Sequence, residues 1–249
     1  MFDPDKIRFA GPEEIDFPIL STEEDVEEEL TQDGDQPEPL IVLPMINAVH
    51  FPGIVMPTTI TREKTIQAVQ RAYKENKRIA VITQKDSNAE DPGFNDLYKI
   101  GTVARILKLL KMPDGTTTAI LQGRKRIKLV DEISESPVLK ATFQGIAYKQ
   151  PFDKLEFEAL ISTIKDLAKK IIDLSPHIPG EAATVLRNIS DHAFLLNFIG
   201  SNLGVNLQQR QQLLETNDLM KKGHAVLEYI NKDLKLLELK DQIESAGRY

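Results

Sequence analysis

The residue types suited to acid–base or metal chemistry are thinly spread. His50, His177, His192 and His224 form neither an HExxH pattern nor any close metal-ligand spacing. Ser190-Asp191-His192 holds the three residue types of a hydrolytic triad, but a triad is assembled in space and not along three adjacent positions. A helix is predicted to begin there, so capping is the expected role of Ser190 and Asp191. Ser201, in GSNLG, lacks the GxSxG pattern of a strained nucleophile turn. Neither GxxxxGK[ST] nor GxGxxG occurs, which removes the glycine-rich loops that cradle phosphates. Glu27, Glu28 and Glu29 lie in a run too polar to be held rigid. Asp131 and Glu132 end a strand, with their carboxylates on opposite faces. The expectation is no catalytic set, no metal set and no cofactor-binding set in this chain.

Charge is the next possible carrier of function. Arg124-Lys125-Arg126-Ile127-Lys128 is the densest basic run. On a strand its charges divide between two faces, and aromatic residues are only 6% with no tryptophan to stack on bases. Nucleic acid is therefore not the expected partner. Residues 1–39 hold 14 acidic and 2 basic residues, which leaves 24 acidic and 29 basic residues in 40–249. An acidic leader thus precedes a mildly basic body. The leader is poor in large apolar groups and is expected to be disordered. It has a second possible role, folding back on the basic body in competition with acidic partners.

From Leu40 the pattern changes. Leu40-Ile41-Val42-Leu43 is a buried-strand run expected to stop at Pro44, and Phe51-Pro52-Gly53 marks a corner. Ile54-Val55-Met56 is a short strand expected to end at Pro57. Thr61 is the expected cap of a helix whose apolar stripe is Ile66, Val69, Ala72 and Tyr73. Strands follow at 79–83 and on both sides of Pro113-Asp114-Gly115, whose turn chemistry predicts a long hairpin; another spans 138–149. These elements predict a compact, mainly antiparallel barrel or sandwich over 40–150.

Beyond Gln150 the period changes to 3.6. Asp153 and Glu156 match a capping box, and Leu160, Ile164, Leu167, Ile171 and Leu174 share a helix face. Further helices are predicted at 181–189, 191–203 and 207–215, with Gly204 as a C-cap. A last helix from about Asp218 to Ser245 would run roughly 40 Å. Zero cysteines exclude disulfides and thiolate chemistry, and no run has the length of a membrane span. The first residues lack the basic start and apolar core of a signal peptide, so a cytoplasmic location is expected.

Leu43-Pro44-Met45-Ile46-Asn47-Ala48-Val49-His50-Phe51-Pro52-Gly53 followed by Arg62-Glu63-Lys64 resembles the opening of the Lon N-terminal domain. The stretch from Gln84 through Gly101-Thr102-Val103-Ala104-Arg105-Ile106 to Met112-Pro113-Asp114-Gly115 is similar to the rest of its β part. Asp218 to Ile243 is similar to the helical segment that leads toward the family's ATPase module. The resemblance runs over 40–245 in one order and leaves 1–39 outside. It implies an α+β fold: a PUA-like β pseudo-barrel with one or more short helices, then a helical bundle ending in a long helix, over 40–150 and 151–249. It also implies a homohexameric ATP-dependent serine protease that degrades misfolded and short-lived regulatory proteins, in quality control and stress response.

In that family the N-terminal part recognises substrates and supports assembly, while the Ser-Lys protease and ATPase lie further along. This chain alone is then expected to bind without hydrolysing, with ATP and Mg used by the parent. Its implied partners are unfolded or degron-bearing proteins and other copies of the parent. A stand-alone Lon-like adaptor is the alternative. Cereblon-type ligand chemistry is excluded, since tryptophan and cysteine are both absent. Met45, Phe51 and Met56 are the candidate apolar contacts with a substrate or partner, and Arg62, Glu63 and Lys64 the candidate charged ones. Gly223-His224 departs from the family pattern and puts a straight terminal helix in question.

Overall fold

The computed structural model describes residues 36–176 and 178–247. The expected disorder of the leader and the position of His177 fall outside those residues. The chain divides into two compact units between Ala147 and Tyr148.

In the β unit, six strands are named β1 (Glu38–Met45), β2 (Val55–Ile60), β3 (Arg78–Thr83), β4 (Ile100–Lys111), β5 (Thr117–Ser134) and β6 (Lys140–Gly145). Among the described residues, a helix, α1 (Glu63–Glu75), and a 3-10 turn at Phe94–Asp96 complete it. The sheet order is β2-β5-β4-β3-β1-β6, and β5 also pairs with β6, so five strands close on themselves. β1 and β3 run parallel and the other pairs antiparallel, which makes the sheet mixed. The long β5 serves two neighbours on one side: residues 117–122 pair with β2 and residues 127–134 with β6.

The Leu40–Leu43 run is apolar throughout because both faces of β1 are buried. Leu40 and Val42 join a cluster drawn from all five ring strands. Ile41, Leu43 and Met45 join a second cluster with the α1 residues Ile66, Ala68, Val69 and Ala72.

Two prolines do not end strands where the sequence predicts. Pro44 continues β1 opposite Ile82, at a level where β6 no longer pairs with β1. Pro57 lies within β2 opposite Ile120, and among the described residues β2 has β5 as its only strand neighbour. An open side tolerates the missing N–H. Glu38, the last acid of the leader, already belongs to β1 and meets Arg78 through both carboxylate oxygens, at 2.8 and 2.6 Å. Thr61 does not cap α1: Arg62 occupies that position with extended backbone and no side-chain cap bond. The hairpin turn is as expected, with Gly115 at φ 86° and Met112 N donating to Thr116 O at 2.9 Å.

The helical unit holds α2 (Lys154–Leu174), α3 (Glu181–Asn188), α4 (His192–Asn202), α5 (Leu207–Glu215) and α6 (Leu219–Ala246). Asp153, Asp191, Asn206 and Asp218 each accept a backbone N–H at a helix start. Asp191 therefore caps α4, as the sequence suggests, accepting from Phe194 N at 2.7 Å. Gly204 is not in the left-handed region; its N–H donates to Asp233 Oδ2 at 2.9 Å instead. α6 passes through Gly223 without interruption, and a side chain there would meet Leu160 Cδ2 of α2 at 2.8 Å. The glycine is a packing contact between two helices rather than a break.

Candidate functional site

All six residues proposed for contact turn inward or are engaged within the chain, and of them Glu63 is exposed. Phe51 is 0% and Met45 4% exposed, so neither offers surface. This corrects the contact role expected of them: the sharp corner and the two-sided burial of β1 draw both into the interior. Met56 is half-buried against the α1 cluster. Arg62 donates to Ala89 O at 3.2 Å, Glu90 O at 3.0 Å and Gln84 Oε1 at 2.8 Å. Lys64 pairs with Asp91 at 2.9 Å. The start of α1 thus holds down the loop of residues 84–91. Glu63 is exposed and meets its own helix neighbour Gln67 at 3.3 Å. Arg62 and Lys64 line a cleft of about 30 Å³ with Val42, Pro44 and Leu139, room for little more than one water.

The basic run of β5 does not form a surface patch. Thr102 pairs with Arg126 but Ala104 with Gly123, so β5 carries an extra residue there. That bulge breaks the alternation. Arg126 and Ile127 are consecutively buried, and Arg126 Nη2 donates to Ala147 O at 3.2 Å. Among the described residues no group of three or more His, Asp or Glu is placed to hold a metal ion, and no helix is long and apolar enough to cross a membrane.

His50 is a fixed part of the corner. Its Nε2 lies 2.8 Å from Ile54 O, consistent with donation from a neutral ring, and Thr102 Oγ1 donates to its carbonyl at 2.6 Å. Burial pushes its pKa down to about 4, against the raising effect of the Ile54 hydrogen bond. A ring that stays neutral and enclosed is a structural group, and Nδ1 finds no hydrogen-bond partner among the described residues.

The surface feature that no single motif announced is an apolar face across three strands. β2, the first part of β5 and the last part of β4 lie side by side. Leu121, Ala119, Ile106 and Ile60 turn one face toward the α1 cluster. Alternation then places Val55, Pro57, Ile120 and Leu110 on the other face. The register sets Pro57 beside Ile120, and Thr118 between Thr59 and Leu110. Val55, Leu107, Leu110 and Met112 are all exposed large apolar residues, 36–41% open to solvent. The alternation in Ala119-Ile120-Leu121 was the available signal, but assigning the outer face needs the register.

The helical unit contains a buried polar centre that sequence reasoning missed. Lys222 is 0% exposed. Its ammonium donates to Asn197 Oδ1 and to Tyr148 OH, the latter at 3.2 Å, and stands 4.9 Å from the Tyr148 ring centroid. Lysine is almost never fully buried without partners, and here amide, phenol and π-face share the charge. Spacing across 74 residues gave no local signal for it.

Together these features leave side chains that hold loops and corners, and an outward apolar face on the β unit. Comparison with known proteins gives the family. The pattern that defines the ATP-dependent protease La (LON) substrate-binding domain matches residues 39–232. The chain belongs to that family. It is 40% identical over 234 residues to the Lon protease of Flavobacterium johnsoniae, covering 94% of this chain and 28% of that protein. It is 36% identical to the Lon protease of Cytophaga hutchinsonii, covering 92% of this chain and again 28% of that protein. The chain therefore spans less than a third of these relatives. The fold matches the N-terminal domain of the Mycobacterium avium complex Lon protease with a TM-score of 0.66 at 18% identity, over 78% of this chain and 98% of that one.

Proposed function

We propose that this chain is the substrate-recognition and assembly part of an ATP-dependent serine protease, and that the outer face of β2, β5 and β4 holds exposed apolar segments of unfolded proteins. The observation that carries this is the outer-face row of apolar side chains, exposed Val55 and Leu110 with half-buried Ile120 on the strand between theirs, on a domain of the substrate-binding family. A single shallow face of this kind binds weakly, because only a few side chains lose contact with water. Display of several copies in a hexameric parent raises the effective concentration and turns weak capture into retention.

Hydrolysis, with ATP and Mg, belongs in this reading to other parts of a longer cytoplasmic protein. The lack of a GxxxxGK[ST] loop in the sequence supports placing nucleotide binding elsewhere.

The test is binding of reduced, carboxamidomethylated lactalbumin, an unfolded protein without added charge, to the purified chain. The Ile120→Asp and Leu110→Asp double variant should weaken binding about tenfold, with its folding checked by circular dichroism because Leu110 is exposed but Ile120 is half-buried on the outer face. Unchanged binding in that variant removes the face from the proposal. Tight one-to-one binding to a folded partner would point instead to an adaptor.

A further inference from the structure

Beyond Arg105, β4 loses its second neighbour. β3 begins at Arg78, directly opposite Arg105, and Ile106 N donates to Lys77 O at 2.7 Å as the last described backbone bond on that side. Lys77 then turns the chain away, with φ 60°. Leu107 is an extra residue at a bulge, and from Lys108 to Lys111 β4 pairs, among the described residues, with β5 alone. Every second residue of such an edge directs its N–H and C=O outward, where an extended chain can meet them.

The edge is also distinctly basic. Lys77, Arg105, Lys108 and Lys111 are exposed. None of them forms an ion pair with a described residue. Nearby carboxylates are engaged elsewhere: Glu75 with Arg71 at 2.9 Å, Glu38 with Arg78, and Asp114 with the hydroxyl and amide of Thr116. Leu107, Leu110 and Met112 interleave apolar surface with these cations. Edge lysines are a known guard against self-pairing. Their effect has a sign: they repel a second basic edge and attract an acidic strand.

We infer that the β4 edge from Leu107 to Lys111 accepts an extended, acidic polypeptide segment as an added strand, with apolar side chains alternating along it. This rests on the recognition function proposed above and names the chemistry of one class of client. Backbone hydrogen bonds supply affinity without regard to sequence, while the cations and leucines select acidic, apolar segments.

The experiment uses the full 249-residue chain and a labelled peptide of about ten residues alternating Glu and Val, followed by fluorescence anisotropy. Exchange of Lys108→Glu with Lys111→Glu should weaken binding about tenfold and reduce its salt dependence. Methylation of alternate peptide amides should abolish binding, because it removes the donors an added strand needs. Affinity unchanged within about twofold in the charge variant, or equal binding of the methylated peptide, overturns the inference. Tighter binding of a single-stranded oligothymidylate of equal charge also overturns it, assigning the edge to phosphates. If lactalbumin still depends on Ile120 and Leu110 while the acidic peptide ignores Lys108 and Lys111, the edge inference fails alone. If neither pair of variants changes either ligand, both fail.

Discussion

Two glycines show how differently the units are held together. In the β unit, a Cβ on Gly123 would lie 2.4 Å from Phe51 O and 3.1–3.2 Å from the His50 ring. Its N–H donates to Ile54 O and its carbonyl accepts from Gly53 N, both at 2.9 Å. The obstacle is backbone, pinned from both sides. In the helical unit, a Cβ on Gly223 would meet Leu160 Cδ2 at 2.8 Å, the far end of a flexible side chain. One contact is between main chains and the other between a main chain and a rotamer. The β unit therefore tolerates change at its corner poorly, while the helical unit can repack.

The sharpest way to break that comparison is Gly123→Ala. It should cost about 3 kcal/mol or more, since neither the Phe51 carbonyl nor β5 can retreat without losing hydrogen bonds. Urea unfolding followed by circular dichroism measures it, and a loss below about 1 kcal/mol would show the corner to be as pliant as the helices.

A pH series sharpens it from the other side. His50 is held neutral by burial, with its pKa near 4 against an ordinary 6.5. As pH falls through 6.5 the unfolded chain takes up a proton there and the folded chain does not. Stability from this group is therefore complete above pH 6.5 and declines by about 3 kcal/mol toward pH 4, where the decline ends. His50→Gln keeps a donor for Ile54 O and should flatten the curve over that window. A curve of the same slope in both proteins would remove the buried ring as its cause.

The smallest effect is expected at Gly223→Ala. Relief of glycine's helix cost contributes up to about 1 kcal/mol, and displacement of Leu160 opposes it. The net change in thermal midpoint should be slight and of either sign. A loss matching that of Gly123→Ala would mean that α2 and α6 are as rigidly apposed as the corner and β5.

Local chemistry made much of the fold legible. The 3.6-residue period and the acid caps located the helices of residues 153–246, and Pro113-Asp114-Gly115 located the hairpin. Errors clustered where a partner strand decides the outcome. Pro57 is an end signal in isolation, yet it continues β2 because that strand has an open side. Thr61 is a good cap by type, yet the chain enters α1 one residue later, where Arg62 serves loop 84–91. Met45 and Phe51 are apolar enough to suit a contact surface, and that same property buries them.

By itself the sequence determined the order of elements, the change of period near residue 150, the lack of a phosphate loop and the family resemblance. All of these depend on residue types at short spacing. Only the tertiary structure decided which apolar residues stay exposed, that a bulge buries Arg126, that Lys222 meets Asn197 and Tyr148, and that β5 closes the sheet onto β6. Each of those depends on the register between segments far apart in the chain. A shift of one residue in that register moves a side chain to the opposite face, and no local pattern contains it.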